Sequence, residues 1–278
     1  MHQRRGFSLD TRSNPGTRSS GSLLKGHRAC SRVSTTFPTP GDDFSETAAV
    51  TRLGSLRSCR PSLASCQLIY RALDLFCCAG GAGMGLHRAG FDVTGVDHND
   101  QPNYPFHFRQ ANALSYPLDG FDFIWASPPC QAYSIASASQ RVRGKEYADL
   151  IEPIRKRLVA SGIPWVIENV PGSPIRADLI LCGSQFNLRV IRHRLFECSF
   201  PIFVLTPPCN HPPDPVVVVG HGTTSWARKK NGGKCHTSKE KRAAMGIQWT
   251  TREELSQAIP PAYSEFIGRQ AIAALESH

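Results

Sequence analysis

Cysteine is most often a small buried hydrophobe, yet Cys130 stands in "WASPPCQAYS" between a Pro-Pro pair and a glutamine. Prolines fix φ, so Pro128 and Pro129 stiffen the approach and limit where the thiol can point. A thiol held this way is a candidate nucleophile, provided that positive charge or a helix start favours its thiolate. Taken alone, the segment reads better as a buried structural thiol. Glu168 in "WVIENVPG" is a second candidate, a carboxylate at the end of an apolar run. Beside an apolar pocket its pKa should rise, leaving it able to donate a proton or hydrogen bond. A helix N-cap or a salt-bridge acid is the plainer alternative. Arg192 and Arg194 in "RHRLFE" are spaced to set both guanidinia on one side of a strand, where they could bind phosphate or a carbonyl. A solvated surface pair would show the same spacing.

These groups need elements to place them. "LIYRALDLF" is a short apolar run that ends in the glycine-rich "CCAGGAGMG", and "LHRAGF" follows with helical character. "FDVTGVD", "FDFIWASPP" and "PWVIENV" are further apolar runs. Leu150, Ile154 and Leu158 mark one face of a helix expected over Tyr147–Ser161, stopped by Gly162. Short apolar strands alternating with helices predict a parallel sheet covered on both faces. In such sheets ligands lie beyond the carboxyl ends of the strands. The glycine-rich turn, Asp97, Cys130 and Glu168 each close one run, and four such placements together indicate a site. Glycines directly after a strand let backbone approach a ligand closely. The pattern is neither G-x-G-x-x-G nor a P-loop. Asp97 lies one strand further on, where an acid can accept from both ribose hydroxyls of a nucleoside cofactor.

The 278 residues are 40% hydrophobic, enough for one large domain with additions, and no apolar run is long enough to span a bilayer. The formal net charge of +10 favours an anionic partner such as nucleic acid. Residues 1–66 hold ten basic residues against four acids and so carry six of those ten charges. Their Ser, Arg, Thr, Pro and Gly content and lack of apolar period predict a disordered extension. Ten cysteines are expected to be free, because Cys77 and Cys78 are adjacent and a chain this long needs no disulfide framework. With no apolar signal core at the N-terminus, a cytoplasmic protein is expected.

Order and spacing together resemble the DNA (cytosine-5) methyltransferase family over roughly residues 68–275, most closely its compact, phage-like members. The resemblance rests on a cofactor loop at Asp74–Gly85, Pro-Cys-Gln at Pro129–Gln131, Glu-Asn-Val at Glu168–Val170 and Arg-x-Arg at Arg192–Arg194. "QAIPPAYSEFIG", Gln257–Gly268, resembles the closing segment that packs beside the cofactor loop. It implies a Rossmann-like α/β sheet with a very small target-recognition insert. The corresponding division is a basic extension at 1–66, a catalytic core at 67–200, a recognition region at 201–250 and a returning segment at 251–278. It also implies S-adenosylmethionine as methyl donor, held by Asp74, Phe76, Cys78, Gly80, Gly81, Asp97, Asn112 and Pro129. Cys130, Glu168, Arg192 and Arg194 would be catalytic, and Gln131, Ser134 and Asn169 would bind the substrate, Asn169 also orienting Glu168. The implied reaction is methylation of carbon 5 of a flipped-out cytosine in double-stranded DNA by a monomer, as in a phage or bacterial modification system. An RNA cytosine methyltransferase and a catalytically silent nucleic-acid-binding relative are the rival readings. Four residues depart from the family pattern: Cys78 for glycine, Val190 for glutamine, Gln257 for asparagine and Asn112 for an acid.

About sixty residues separate Arg194 from Gln257. His221–Arg242 is basic and turn-rich, as expected of a loop that tracks phosphates, with Trp226 a wedge or stacking residue. Cys209, His211, Cys235 and His236 offer zinc-ligating atoms, but Cys-x-His and Cys-His match no standard spacing, so no metal is assigned.

Overall fold

A computed structural model describes residues 68–211, 213–219 and 236–277. The extension 1–66, Trp226 and Cys235 lie outside them. The four apolar runs form β1 (Arg71–Leu75), β2 (Asp92–Asp97), β4 (Phe123–Ala126) and β5 (Trp165–Asn169). With β3 (His107–Gln110), β6 (Leu179–Leu181) and β7 (Arg194–Cys198) they make a seven-stranded sheet ordered β3-β2-β1-β4-β5-β7-β6. It is a Rossmann-like α/β sheet, with one difference from an all-parallel expectation. β7 runs antiparallel to both β5 and β6. β6 and β7 are successive strands that pair as a hairpin, and β7 thereby opposes β5 as well.

Alternation along the strands builds two cores. Ala72, Trp125 and Val166 face one side, against α1 (Gly81–Ala89) and α6 (Pro261–Glu276). Leu73, Leu75, Ile124, Ala126 and Ile167 face the other, against α3 (Ile151–Ser161). That helix starts four residues later than periodicity suggested, with Leu150 as its N-cap and Asp149 Oδ1 accepting from Ile151 N just ahead of it. A short helix α2 (Ala138–Val142) lies between β4 and α3. Near the C-terminus α4 (Ser238–Met245) and α5 (Arg252–Gln257) each begin with a Thr-to-Glu capping box. They bury a third, smaller cluster around Val190, Val216, Met245 and Leu255. Among the described residues no helix is long and apolar enough to cross a membrane.

The glycine-rich segment is not a simple turn. Its second half is the first two turns of α1, and Gly81, Gly83 and Gly85 are helical. Gly81 and Gly85 are small because α6 and its lead-in lie directly against them, a Cβ on Gly81 sitting 2.5 Å from Ile259 O, whereas a Cβ on Gly83 would meet the Tyr104 hydroxyl at 2.6 Å. Ser264 Oγ donates to Ala82 O at 2.8 Å. The returning segment therefore does pack beside the glycine-rich loop.

Candidate active site

A cavity of about 460 Å³ opens at the carboxyl ends of β1, β4 and β5. Asp74, Phe76, Cys78 and Gly81 line it from the glycine-rich segment, and Pro129, Cys130, Gln131 and Ser134 from the loop after β4. Glu168 enters from β5, Arg192 and Arg194 from the start of β7, and Ser256–Ile259 from the end of α5. Most of the residues singled out in the sequence thus converge on one space.

Cys130 closes a loop that is fastened at several points. Its carbonyl accepts from Tyr133 N and Ser134 N, and Asn169 Nδ2 donates to Pro128 O at 3.0 Å. Ser137 Oγ and Arg141 Nη1 both donate to Gln131 O, at 2.8 and 2.7 Å, and Arg141 also reaches Ser134 O. Arg141 and Ser137 were not singled out in the sequence; nothing in the local pattern marks a side chain that folds back onto carbonyls. Burial pushes the Cys130 thiol up, and Glu168 adds to this, while Arg194 and Arg192 pull it down.

Glu168 is buried, and Arg194 Nε stands 2.8 Å from its Oε1. That contact is an ion pair without an aligned hydrogen bond, so Oε1 still lacks a directed donor. Burial raises the carboxyl pKa and Arg194 opposes the rise. Arg192 precedes β7 rather than lying within it, so the pair does not share a strand face. Both nevertheless reach the cavity, because Tyr263 OH donates to Arg192 O and Arg192 Nη2 donates to Ser256 O. Arg192 Nε is buried and has no partner.

Four expected contact residues do not line the cavity: Gly80, Asp97, Asn112 and Asn169. Asp97 accepts from Cys78 N at 3.1 Å and from Asn99 N at 2.9 Å, so it holds the glycine-rich turn. That bond accompanies a left-handed backbone at Cys78, φ 45°, which explains a glycine preference there. Asn112 is exposed and turns its Oδ1 onto Leu114 N. Asn169 is buried and donates to the Pro128 carbonyl. In the basic segment, Arg242 donates twice to Thr250 O and Lys241 is buried; neither is free to track phosphates.

Asp74 is fully buried on the cavity floor. Tyr104 OH donates to its Oδ2 at 3.3 Å, and Oδ1 has no partner. Burial pushes its pKa up to about 7.

Residues 70–172 match the model for the C-5 cytosine-specific DNA methylase family. Over that segment, which holds the glycine-rich loop, Cys130 and Glu168, the chain is similar to this cytosine-5 methyltransferase family. Among solved structures, one shares the fold and others are more distantly similar. An E. coli prophage protein, described as a candidate DNA modification methyltransferase, is 15% identical with a TM-score of 0.50, covering 75% of this chain and 100% of its own. The Dnmt2 methyltransferase of S. pombe is 13% identical with a TM-score of 0.49, covering 75% of this chain and 99% of its own. The EhMeth methyltransferase of Entamoeba histolytica is 13% identical with a TM-score of 0.48 over the same shares. No curated protein sequence matches the chain.

Fold and family make S-adenosylmethionine the methyl donor. The cavity suits it: its volume lies in the range of small-ligand sites, and a buried carboxylate oxygen awaits a donor or cation on its floor. A cytosine-5 methyltransferase also needs a thiol within reach of the acceptor base, and Cys130 lines the same space.

Proposed function

We propose that this methyltransferase acts on cytosine in DNA, with Cys130 as nucleophile. The observation that carries the reading is the convergence of Cys130, Glu168, Arg192 and Arg194 on one cavity continuous with the glycine-rich segment. S-adenosylmethionine supplies an electrophilic methyl group; Asp74, Phe76, Cys78, Gly81 and Pro129 would hold it, with Asp97 and Gly80 shaping the turn beneath. Carbon 5 of cytosine is a poor nucleophile until a thiolate adds to carbon 6. Cys130 would form that bond as the thiolate, its proton passing to solvent water as the base enters. Glu168, whose carboxyl pKa burial raises, would hydrogen-bond ring nitrogen 3 and the amino group. Arg194 fixes Glu168 and, with Arg192, would face the base's carbonyl. After methylation a base takes the proton from carbon 5 and the Cys130–carbon 6 bond breaks, returning the thiolate. Gln131 and Ser134 would flank the flipped base. Extrusion of that base from a duplex costs a few kcal/mol, least where it is already unpaired.

The family description supports DNA as acceptor. RNA is the second reading, favoured by the short recognition region, whose described part is mostly spent on α4 and the third core cluster. Labelled methyl donor, offered with duplex DNA and separately with tRNA, distinguishes them. Label in DNA that vanishes in Cys130→Ser is the expected result; label only in RNA moves the assignment, and transfer to neither with retained binding identifies a silent relative. A duplex carrying 5-fluorocytosine should trap a covalent complex through Cys130.

A further inference from the structure

We propose that Cys182, His193, Cys209 and His211 form a structural zinc site that locks the arginine turn to the root of the recognition region. Their ligand atoms all lie within 4.8 Å of one another. Cys209 Sγ is 3.5 Å from His193 Nε2, close to the sulfur–nitrogen edge of about 3.6 Å in a tetrahedron with zinc bonds of about 2.3 and 2.05 Å. Cys209 Sγ and His211 Nε2 are 2.8 Å apart and would open by roughly 0.8 Å to reach that edge. The two imidazole rings meet edge to face, with centroids 5.1 Å apart at 73°, so they converge without stacking. Two thiolates and two imidazoles make a soft donor set that suits zinc over magnesium or calcium.

The surroundings are built for it. Cys182 directly follows β6 and His193 directly precedes β7, so the ends of one hairpin supply half the ligands. Cys209 and His211 come from the extended chain beyond β7. Gln185 joins the two halves: its Oε1 accepts from Cys182 N, and its Nε2 donates to Thr206 Oγ1 and Pro207 O. Ser184 Oγ stands 3.5 Å from Cys182 Sγ and 3.3 Å from Cys209 Sγ. Such outer partners orient ligands in metal sites. Four protein ligands leave no open position, which makes the site structural. Its placement gives it a purpose, since His193 sits between Arg192 and Arg194. This set replaces the Cys209, His211, Cys235, His236 grouping considered from sequence. Gaps of ten, fifteen and one residue between successive ligands follow no zinc-finger spacing, so only the fold brings them together.

The full chain, purified under reducing conditions, should contain about one zinc per chain by elemental analysis. Cobalt substitution should give thiolate-to-metal charge-transfer bands and the intense visible spectrum of a tetrahedral ion, both lost in Cys209→Ser and His211→Ala. Chelation should lower the melting temperature and zinc should restore it. Wild-type protein that takes up cobalt without thiolate bands, or takes up none, overturns the proposal, and so does a mapped Cys182–Cys209 disulfide. The zinc content, cobalt spectrum and chelation response of the wild-type chain need no variant to fold and no methyl transfer to occur, so they stand apart from the proposed function.

Discussion

At the residue scale, two buried acids and a thiol face the same cavity. Asp74 has a folded pKa of about 7 against 3.8 for the free side chain, because burial disfavours its charge. The folded chain therefore keeps a proton that the unfolded chain releases, and this favours folding below about pH 4 and fades as pH rises through 7. Asp74→Asn never ionises, so it should be more stable than wild type at pH 8, by up to about 4 kcal/mol, and match it near pH 4. Thermal unfolding at the two pH values measures this. The same substitution should flatten cofactor affinity against pH, whereas wild type should bind the cationic donor more tightly at pH 8 than at pH 6. Calorimetric titrations showing the same pH trend in both proteins would remove Asp74 from the cofactor site. Cys130 is held neutral first by burial and then by Glu168. Its alkylation in the free protein should therefore climb only above the ordinary thiol range. Glu168→Gln should speed alkylation at pH 9 while lowering methyl transfer by on the order of a hundredfold; peptide mapping of the alkylated thiol reads the first effect.

Elements position these groups through contacts between distant parts of the chain. On Gly85 a Cβ would fall on Ser264 Oγ and Pro261 O. Gly85→Ala should cost at least about 2 kcal/mol in denaturant unfolding, since helix backbone cannot yield as a side chain tip can. Arg141 acts on the other wall. It fastens the Gln131 and Ser134 carbonyls, so Arg141→Ala should reduce kcat on the order of tenfold and leave cofactor Kd unchanged. A matching loss of cofactor binding would make Arg141 a general stabiliser instead. The elements were legible where burial writes a pattern: the apolar runs became β1, β2, β4 and β5, and Cys130 and Glu168 fell at strand ends as their neighbours suggested. Direction was not legible in β6 and β7, because three apolar residues at Leu179–Leu181 carry no mark of which way the chain runs. Side-chain aim was hidden too. Asp97 and Asn112 have the residue types of ligand contacts, yet their oxygens bond to backbone N–H groups, a choice set by turn geometry rather than by composition. Arg242 is likewise spent on a carbonyl within its own region.

At the scale of the whole molecule, charge is divided unevenly between the part that holds the site and the part that precedes it. Residues 1–66 carry six of the ten net positive charges, and the residues that line the described cavity all lie beyond them. The described residues fall within the unit Leu63–His278. Binding to a polyanion weakens with salt by about 0.9 in log affinity per tenfold salt for each phosphate contacted in duplex DNA. If the extension adds such contacts, it adds affinity and salt sensitivity without touching the chemistry. Removing residues 1–60 should therefore leave kcat for methyl transfer unchanged, weaken nucleic-acid binding at 50 mM salt and flatten the dependence between 50 and 200 mM. Parallel binding and single-turnover assays on the full and shortened chains test both halves. A soluble truncation that loses methyl transfer would place part of the working site before Leu68, while an unaltered salt slope would mean that binding is carried by the +4 remainder, including the arginines at the cavity.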